Sequence, residues 1–269
     1  MGQFSVASKR AQKSRNSDRP ILATTLIANQ QPIVLHVMFF QLALLLTYIT
    51  FPSHAQITAP EFCATGVHAI LIRGQGSGDH LNVMVTMQNL ILQLIPNSTS
   101  VALPYDHGGD DHRVVAVDGA LLMQSYIRDY VASCPQSKIF LMGYSLGGII
   151  VMDGLCGTSS LWLNHVDAIE PQYNRNVIAA ASYGEETFIP GMPWNAGTCK
   201  DGLGTYPRIH PEWCDPYAAS IRDYCDSGDD ACCMKFPPFD DGAHFTYIFK
   251  YNIDLLHFVE RRLVETHMP

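Results

Sequence analysis

The segment from Lys138 to Val151 contains a serine whose surroundings indicate a nucleophile. An apolar run fit for a buried strand leads into Gly143-Tyr-Ser-Leu-Gly147, and a second apolar run follows with the character of a helix. The pattern G-x-S-x-G between a strand and a helix is a nucleophile elbow, a sharp turn that exposes the serine Oγ. The sequence therefore predicts that Ser145 is a nucleophile; the alternative is a chance match in a glycine-rich turn.

A nucleophilic serine needs an imidazole that accepts its proton, and the imidazole needs an acceptor that orients it. In chains with this elbow the acid, and then the histidine, follow the serine. His210 and His244 lie in predicted loops after Ser145, and His244 is better placed because it precedes the last predicted helix. The acid candidates are Asp223, Asp226, Asp229, Asp230, Asp240 and Asp241. The residues alone rank Asp226 and Asp229 equally.

Composition limits the class of protein. The chain has 269 residues, of which 47% are hydrophobic and 16% charged, and this suits one large globular domain. Residues 56–269 carry 12 basic and 24 acidic side chains, a net charge of −12, which argues against nucleic acid as a partner. All eight cysteines follow residue 60, and their even number indicates disulfide bonds made in an oxidising compartment.

Residues 1–55 form a leader. Five basic residues precede a mostly apolar run at 33–51, and Pro52–Ala55 then offers the small residues that a signal peptidase prefers. The pattern predicts a signal peptide cleaved after Ala55 and a secreted domain at 56–269. The alternative is a membrane anchor formed by residues 33–51, with the rest of the chain outside. Residues 1–37 are either a long n-region or an over-extended gene model, since Met38 could start a compact signal peptide.

The body alternates strands with helices, which predicts a mostly parallel sheet covered on both faces. Strands are predicted at 67–72, 100–103, 138–142 and 177–182, and helices at 81–95, 114–132, after the elbow, at 216–224 and at 245–265. The glycine-rich turn at 73–78 could present N–H groups to an anion. Asn97-Ser-Thr99 is an N-glycosylation sequon.

Two clusters raise the question of a metal site. Residues 104–113 include three aspartates and two histidines, but their spacing is irregular and a solvated loop is the preferred interpretation. Cys225, Cys232 and Cys233 are close together, but no C-x-x-C pair accompanies them. We therefore expect no metal and no cofactor.

Several ordered motifs resemble the cutinase and acetylxylan esterase family of fungal secreted esterases, over nearly all of 63–264. They are Cys134-Pro135, Gly143-Tyr-Ser-x-Gly-Gly148, Leu155-Cys-Gly157, Trp194-Asn-Ala-Gly-Thr-Cys199, Tyr224-Cys-Asp-Ser-Gly-Asp229, Cys232-Cys233 and His244. The double cysteine and the pair Cys156 and Cys214 are more similar to the acetylxylan esterase branch.

The resemblance implies a three-layer α/β-hydrolase sandwich with a central, mostly parallel sheet of about five strands, and a monomer without metal. It implies Ser145 as nucleophile, His244 as base and, between the two equal acids, Asp229. The implied disulfide bonds are Cys63 with Cys134, Cys156 with Cys214, Cys199 with Cys233, and Cys225 with Cys232.

The chain departs from the family at the oxyanion hole. The residue after the nucleophile is Leu146 where the family usually has Gln, although the donor there is the backbone N–H. The second donor is usually a Ser or Thr after the first strand; here Gln75 takes that position, with Ser77 close by, and a Gln amide can donate. The family's Gly-Asp-Pro after the fourth strand is Gly184-Glu-Glu186.

Together these features predict a secreted serine carboxylic-ester hydrolase that acts on plant-polymer esters. The expected partner is a polysaccharide or polyester substrate, either acetylated xylan or cutin. The alternative function is a catalytically weak or inactive relative that works as a surface or recognition protein, and the residues Gln75 and Leu146 motivate it.

Overall fold

The computed structural model describes residues 62–76, 81–106, 111–234 and 242–267. The chain divides into two units, Met1–Gln56 and Ile57–Pro269, and the described residues all belong to the second. The predicted signal peptide, the apolar run at 33–51, Ser77, Asp240 and Asp241 lie outside the described residues. No helix in the described ranges has both the length and the hydropathy that a membrane span requires.

Six strands form one sheet: β1 (Val67–Ile72), β2 (Thr99–Ala102), β3 (Lys138–Tyr144), β4 (Val177–Tyr183), β5 (Asn195–Ala196) and β6 (Ile221–Tyr224). Their order is β2-β1-β3-β4-β6-β5, and every pairing is parallel. Strands β3 and β4 are buried on both faces, as continuous apolar strands of a covered parallel sheet are. The two-residue β5 adds a sixth strand to the five that the resemblance implied.

Four α-helices cover the sheet: α1 (Val85–Leu94), α2 (His112–Ser133), α3 (Leu146–Cys156) and α4 (Tyr247–His267). Alternate residues of β1 belong to different cores, because side chains along a strand point to opposite faces. Ile70 and Ile72 pack with α2 and α3, whereas Ala69 and Leu71 pack with α1 and α4. The result is the three-layer α/β sandwich that the sequence predicts.

The helix predicted at 216–224 is wrong. A 3-10 helix covers Pro211–Ser220, and the strand β6 follows at once. Ile221 pairs with Ala180 of β4, and the Asp223 carboxylate accepts a hydrogen bond from the Ser182 hydroxyl at 2.6 Å. Residues 221–224 have little strand propensity of their own, and pairing with β4 makes this short segment a strand.

The carboxyl ends of β1, β3, β4 and β6 meet at one edge of the sheet, the position where open α/β sheets bind ligands. The turn after β1 is fixed there by Arg73, whose buried guanidinium donates to the Leu103 and Tyr105 carbonyl oxygens at 3.0 Å each. Ser145 follows β3, Gly184 follows β4, and the loop at 225–232 follows β6. The fold thus brings the predicted site segments to the same edge.

Candidate active site

Ser145 lies on a strained turn between β3 and α3. Its backbone has φ 54° and ψ −123°, a conformation that costs energy for a residue other than glycine and occurs mainly at functional sites. The Ser145 N–H donates to the Tyr183 carbonyl oxygen at 2.8 Å, so β4 fixes the turn. A side chain at Gly147 would collide with the Ile72 carbonyl oxygen, which explains the glycine on this side of the elbow.

Asp229 and His244 form a hydrogen-bonded pair beside this turn. His244 Nδ1 lies 3.0 Å from Asp229 Oδ1 and 2.9 Å from Oδ2, and the Asp229 side chain has no exposed surface. The Tyr247 hydroxyl donates to Oδ2 at 2.6 Å, and the Ala231 N–H donates to Oδ1 at 2.9 Å. The carboxylate is therefore held where it favours the imidazole proton on Nδ1, which leaves Nε2 without a proton in the neutral ring.

Tyr144 connects the serine with the histidine. It directly precedes Ser145, its hydroxyl donates to the His244 carbonyl oxygen at 2.8 Å, and the two rings are 5.2 Å apart. The 3-10 turn before α4, Ala243–Phe245, is thereby bound to the end of β3, which brings His244 to the elbow.

The pKa of His244 reflects the same contacts. Burial by itself would lower this pKa, but the hydrogen bond and the charge of Asp229 outweigh it, and the net pKa of His244 is raised. An imidazole with a raised pKa accepts a proton more readily.

Gly184 packs directly against the Asp229–His244 pair. It has φ 61°, and a Cβ there would lie 2.7 Å from Asp229 Oδ2 and 2.9 Å from His244 Nδ1. Sequence reasoning missed Gly184, Tyr144 and Tyr247. The three-residue spacing from His244 to Tyr247 is a signal that could have found the tyrosine, since one helical turn brings both to the same face.

The sequence of the domain matches a known family. The sequence model of the cutinase family matches residues 63–263. The chain belongs to the cutinase family. This cutinase-family chain is 29% identical to "Acetylxylan esterase 2" of Talaromyces purpureogenus over 188 residues, covering 66% of the chain and 78% of that relative. It is 30% identical to "Cutinase 11" of Verticillium dahliae over 232 residues, covering 82% and 76%.

Solved structures agree with this assignment. The catalytic core domain of an acetyl xylan esterase from Trichoderma reesei superposes with a TM-score of 0.67 at 27% identity, covering 75% of the chain and all of that structure. The cutinase-family chain is thus a serine carboxylesterase with an α/β-hydrolase fold.

Two turns border Ser145 at the positions where the sequence predicts the oxyanion hole. Leu146 is the first residue of α3, where the backbone N–H groups have no partner within the helix. A Cβ on Gly74 would lie 3.2 Å from the Ser145 Cβ, so the turn that carries Gln75 borders the nucleophile. Gln75 Oε1 lies 2.6 Å from His112 Nε2. The two predicted donor positions, Leu146 and Gln75, therefore flank Ser145.

The other candidates have different environments. Asp226 is buried; it accepts from the Thr198 N–H at 3.0 Å, from Lys250 Nζ at 2.8 Å and from the Tyr251 hydroxyl at 2.6 Å. These contacts bind the loop to α4 rather than to His244. His210 contacts Glu212 at 2.9 Å and stacks on a tryptophan. Asp223 is buried in β6, and burial raises its pKa to about 7.

The eight cysteines form four disulfide bonds: Cys63–Cys134, Cys156–Cys214, Cys199–Cys233 and Cys225–Cys232. These are the pairs that the family resemblance implied. The Sγ atoms of Cys199, Cys225 and Cys233 lie within 4.8 Å of one another, but all three belong to disulfides, and metal ligation requires a thiolate.

The acidic loop before α2 is described only at its ends. The Asp111 side chain caps α2 by accepting from the Arg113 N–H at 3.0 Å, and it pairs with the Arg113 guanidinium at 2.6 Å. Residues 107–110 lie outside the described residues.

Proposed function

We propose that the protein hydrolyses carboxylic esters with a triad of Ser145, His244 and Asp229. The observation that carries this proposal is the 2.9 Å contact between the fully buried Asp229 carboxylate and His244 Nδ1. It lies at the sheet edge where Ser145 occupies a strained strand-to-helix turn. An oriented imidazole beside a serine is the arrangement that activates a hydroxyl nucleophile.

In the proposed mechanism the Ser145 Oγ attacks the ester carbonyl carbon while His244 Nε2 accepts the hydroxyl proton. The Leu146 N–H and the Gln75 side chain stabilise the oxyanion of the tetrahedral intermediate. His244 then gives its proton to the departing alcohol oxygen, which leaves an acyl group on Ser145. Water attacks the acyl-enzyme while His244 accepts a proton from that water. His244 then returns the proton to Ser145 Oγ as the bond between Oγ and the acyl carbon breaks, which releases the carboxylic acid and restores the serine hydroxyl.

The proposed substrates are esters of plant polymers, either acetyl groups on xylan or the ester bonds of cutin. Relatives named acetylxylan esterase and cutinase support this class. Short acyl groups are favoured, because the loops of the body are polar and acidic, and residues 56–269 as a whole carry a net charge of −12. A lipase for long acyl chains would instead present an extended apolar surface to its substrate.

The experiment that tests this function is an acyl-length series of p-nitrophenyl esters, from acetate to dodecanoate, with acetylated xylan and cutin as polymers. We expect hydrolysis that is fastest with acetate and is lost in Ser145→Ala. Rates that rise with acyl length would instead indicate a lipase. If the wild-type protein hydrolyses none of these esters, the enzyme proposal fails and the surface-recognition alternative takes its place.

We further propose that the protein is extracellular and has lost residues 1–55. All eight cysteines lie in the described residues and none is free, which is the cysteine usage of oxidising compartments. Sequencing the amino terminus of the mature protein distinguishes cleavage after Ala55 from a retained anchor at 33–51.

The sequon at Asn97 is proposed as a glycosylation site. Asn97 is exposed in the turn after α1, with φ 56°. Treatment with an N-glycosidase should reduce the mass of the secreted wild-type protein and leave Asn97→Gln unchanged. A wild-type mass that does not change would contradict the proposal.

A further inference from the structure

A second histidine borders the active site and is not part of the triad. His112, the first residue of α2, lies between two acceptors: its Nδ1 is 3.1 Å from Glu186 Oε2 and its Nε2 is 2.6 Å from Gln75 Oε1. The side chains of His112 and Glu186 are only 20% and 11% exposed. The imidazole therefore has a defined orientation and connects two turns of the site.

Both turns that His112 connects border the triad. Glu186 is two residues after Gly184, which packs against Asp229 and His244. Its backbone is fixed, since its carbonyl oxygen accepts from the Tyr206 N–H at 2.7 Å. Gln75 follows Gly74, which packs against Ser145. A change in the hydrogen bonds of His112 would therefore alter the side chains of the turns that border Ser145.

The hydrogen-bond partners determine the protonation of His112. A carboxylate only accepts hydrogen bonds, and so does the Oε1 atom of an amide. With the Gln75 amide oxygen facing His112, the ring donates from both nitrogens, which corresponds to the imidazolium form. The hydrogen bond to Glu186 raises the pKa of His112, burial opposes this rise, and the charges of Glu186 and Asp111 add to it. Asp111 is itself paired with Arg113. The Tyr206 ring lies edge-on to the His112 ring, with the two ring centroids 6.2 Å apart.

We propose that His112, held by Glu186, is a positioning residue that fixes the Gln75 amide with its N–H groups turned to the oxyanion. The amide carries its oxygen and its nitrogen on opposite sides of Cδ, so holding Oε1 on His112 turns the NH₂ group away from His112. This inference rests on the proposed hydrolase function, because Gln75 matters only if an oxyanion forms at Ser145.

Deprotonation of His112 would reverse this arrangement. The remaining proton stays on Nδ1, because the Glu186 carboxylate is the stronger acceptor, and Nε2 becomes an acceptor. Gln75 must then turn its NH₂ group to His112 and its oxygen to the oxyanion. The amide oxygen repels the negatively charged oxyanion and no longer stabilises it. Since the imidazolium form exists below the raised pKa of His112, activity is supported below that pKa and falls as pH rises through it.

The test is a double-mutant cycle with p-nitrophenyl acetate, using His112→Leu, Gln75→Leu and the double variant. Removing one oxyanion donor costs about 100-fold or more in kcat, which is the expected loss for Gln75→Leu. We expect His112→Leu to lower kcat at least about 10-fold with KM unchanged, because the interaction exists only in the transition state. In the Gln75→Leu background, His112→Leu should have no further effect on kcat.

A matched control and a charge-retaining variant complete the test. His165 also pairs with a carboxylate, Asp167 at 3.0 Å, but is exposed, so His165→Leu should retain wild-type kcat. His112→Lys keeps a permanent cation; it should recover part of the activity and lose the alkaline decline that the wild-type protein shows. If His112→Leu does not fold by circular dichroism, Glu186→Gln takes its place, and its alkaline decline should move to lower pH.

The possible outcomes separate the two proposals. A wild-type protein that hydrolyses the ester, together with an unchanged kcat in His112→Leu, overturns the positioning role alone. Equal losses from His112→Leu in the wild-type and Gln75→Leu backgrounds also overturn it, because His112 would then not act through Gln75. A wild-type protein without hydrolysis and without modification of Ser145 by a phosphonate overturns the hydrolase function and this inference together.

Discussion

At the residue scale, Asp226 and Asp229 lie three residues apart in one disulfide-closed loop but have different partners. Both carboxylates are buried. Asp229 contacts His244 and Tyr247, whereas Asp226 contacts Thr198, Lys250 and Tyr251. The first carboxylate orients the imidazole, and the second binds the loop to α4.

The two aspartates should therefore respond differently to the same substitution. Asp229→Asn should lower kcat for p-nitrophenyl acetate by about 10⁴-fold, because an amide does not hold the imidazole in the required tautomer. Asp226→Asn should keep kcat within about 10-fold of wild type and reduce the free energy of unfolding by about 1–3 kcal/mol, the value of charged hydrogen bonds. Equal losses of kcat would refute the assignment of Asp229.

The pH dependence tests the role of His244. Its imidazole must be neutral to accept the Ser145 proton, and Asp229 raises its pKa above the ordinary value of about 6.5. The rate kcat/KM should therefore fall as pH drops through a value above about 6.5. In Asp229→Asn the acidic limb of the residual activity should shift to lower pH, because the carboxylate that raises the pKa of His244 is gone. An acidic limb that stays in place in Asp229→Asn would contradict the coupling.

At the scale of elements, the site depends on turns at the carboxyl ends of parallel strands. The turns after β1, β3, β4 and β6 supply Gln75, Ser145, Gly184 and Asp229, and the 3-10 turn just before α4 supplies His244. The turn after β4 has the least space, because Gly184 packs against both partners of the Asp229–His244 pair.

Gly184→Ala should therefore reduce activity strongly. The added methyl would displace Asp229 or His244, and a displacement on the order of 1 Å can cost about 100-fold in rate. Gly191→Ala is the matched control: Gly191 also has a positive φ, 83°, but a Cβ added there would meet no atom of the described residues within 4 Å. Both variants carry backbone strain, so a kcat for Gly184→Ala equal to that of Gly191→Ala would show that the contact is unimportant.

At the scale of the whole molecule, disulfide bonds connect the surface loops with the sheet. Cys63–Cys134 joins residues 71 positions apart, and Cys225–Cys232 closes a loop across 7 positions. The long loop constrains the unfolded chain more, while the short loop carries Asp229.

Removing these two bonds should separate stability from activity. From the entropy of loop closure, the double variant Cys63→Ser/Cys134→Ser should lose about 4 kcal/mol of the free energy of unfolding. The double variant Cys225→Ser/Cys232→Ser should lose about 2.5 kcal/mol, because its loop is shorter. The second double variant should nevertheless lose more kcat, because its loop positions the acid. Urea unfolding and esterase assays at a temperature where both variants are folded measure the two quantities. A greater loss of kcat in the Cys63–Cys134 variant would contradict this account.

Much of the fold could be predicted from the sequence because its strands are strongly apolar. The elbow at Ser145 follows from a local pattern of strand, turn and helix. β6 could not be predicted in the same way, because Ile221-Arg-Asp-Tyr224 becomes a strand by pairing with β4 and β5.

The site was predictable where its signals are local and not where they depend on packing. His244 could be chosen by its place before the last helix, but Asp226 and Asp229 were equal until their contacts were known. His112 contacts Gln75, 37 positions away, and Glu186, 74 positions away, and no pattern of sequence spacing predicts these contacts.

The central claim is that His244 and Asp229 activate Ser145 as a nucleophile, and covalent labelling tests it most directly. The purified protein is treated with an alkyl p-nitrophenyl phosphonate, which resembles the tetrahedral intermediate, and the adduct is located by peptide mass spectrometry. We expect one adduct per chain on Ser145, formed much more slowly in His244→Ala and Asp229→Asn. Absence of an adduct from Ser145, or labelling at the wild-type rate in both variants, would contradict it.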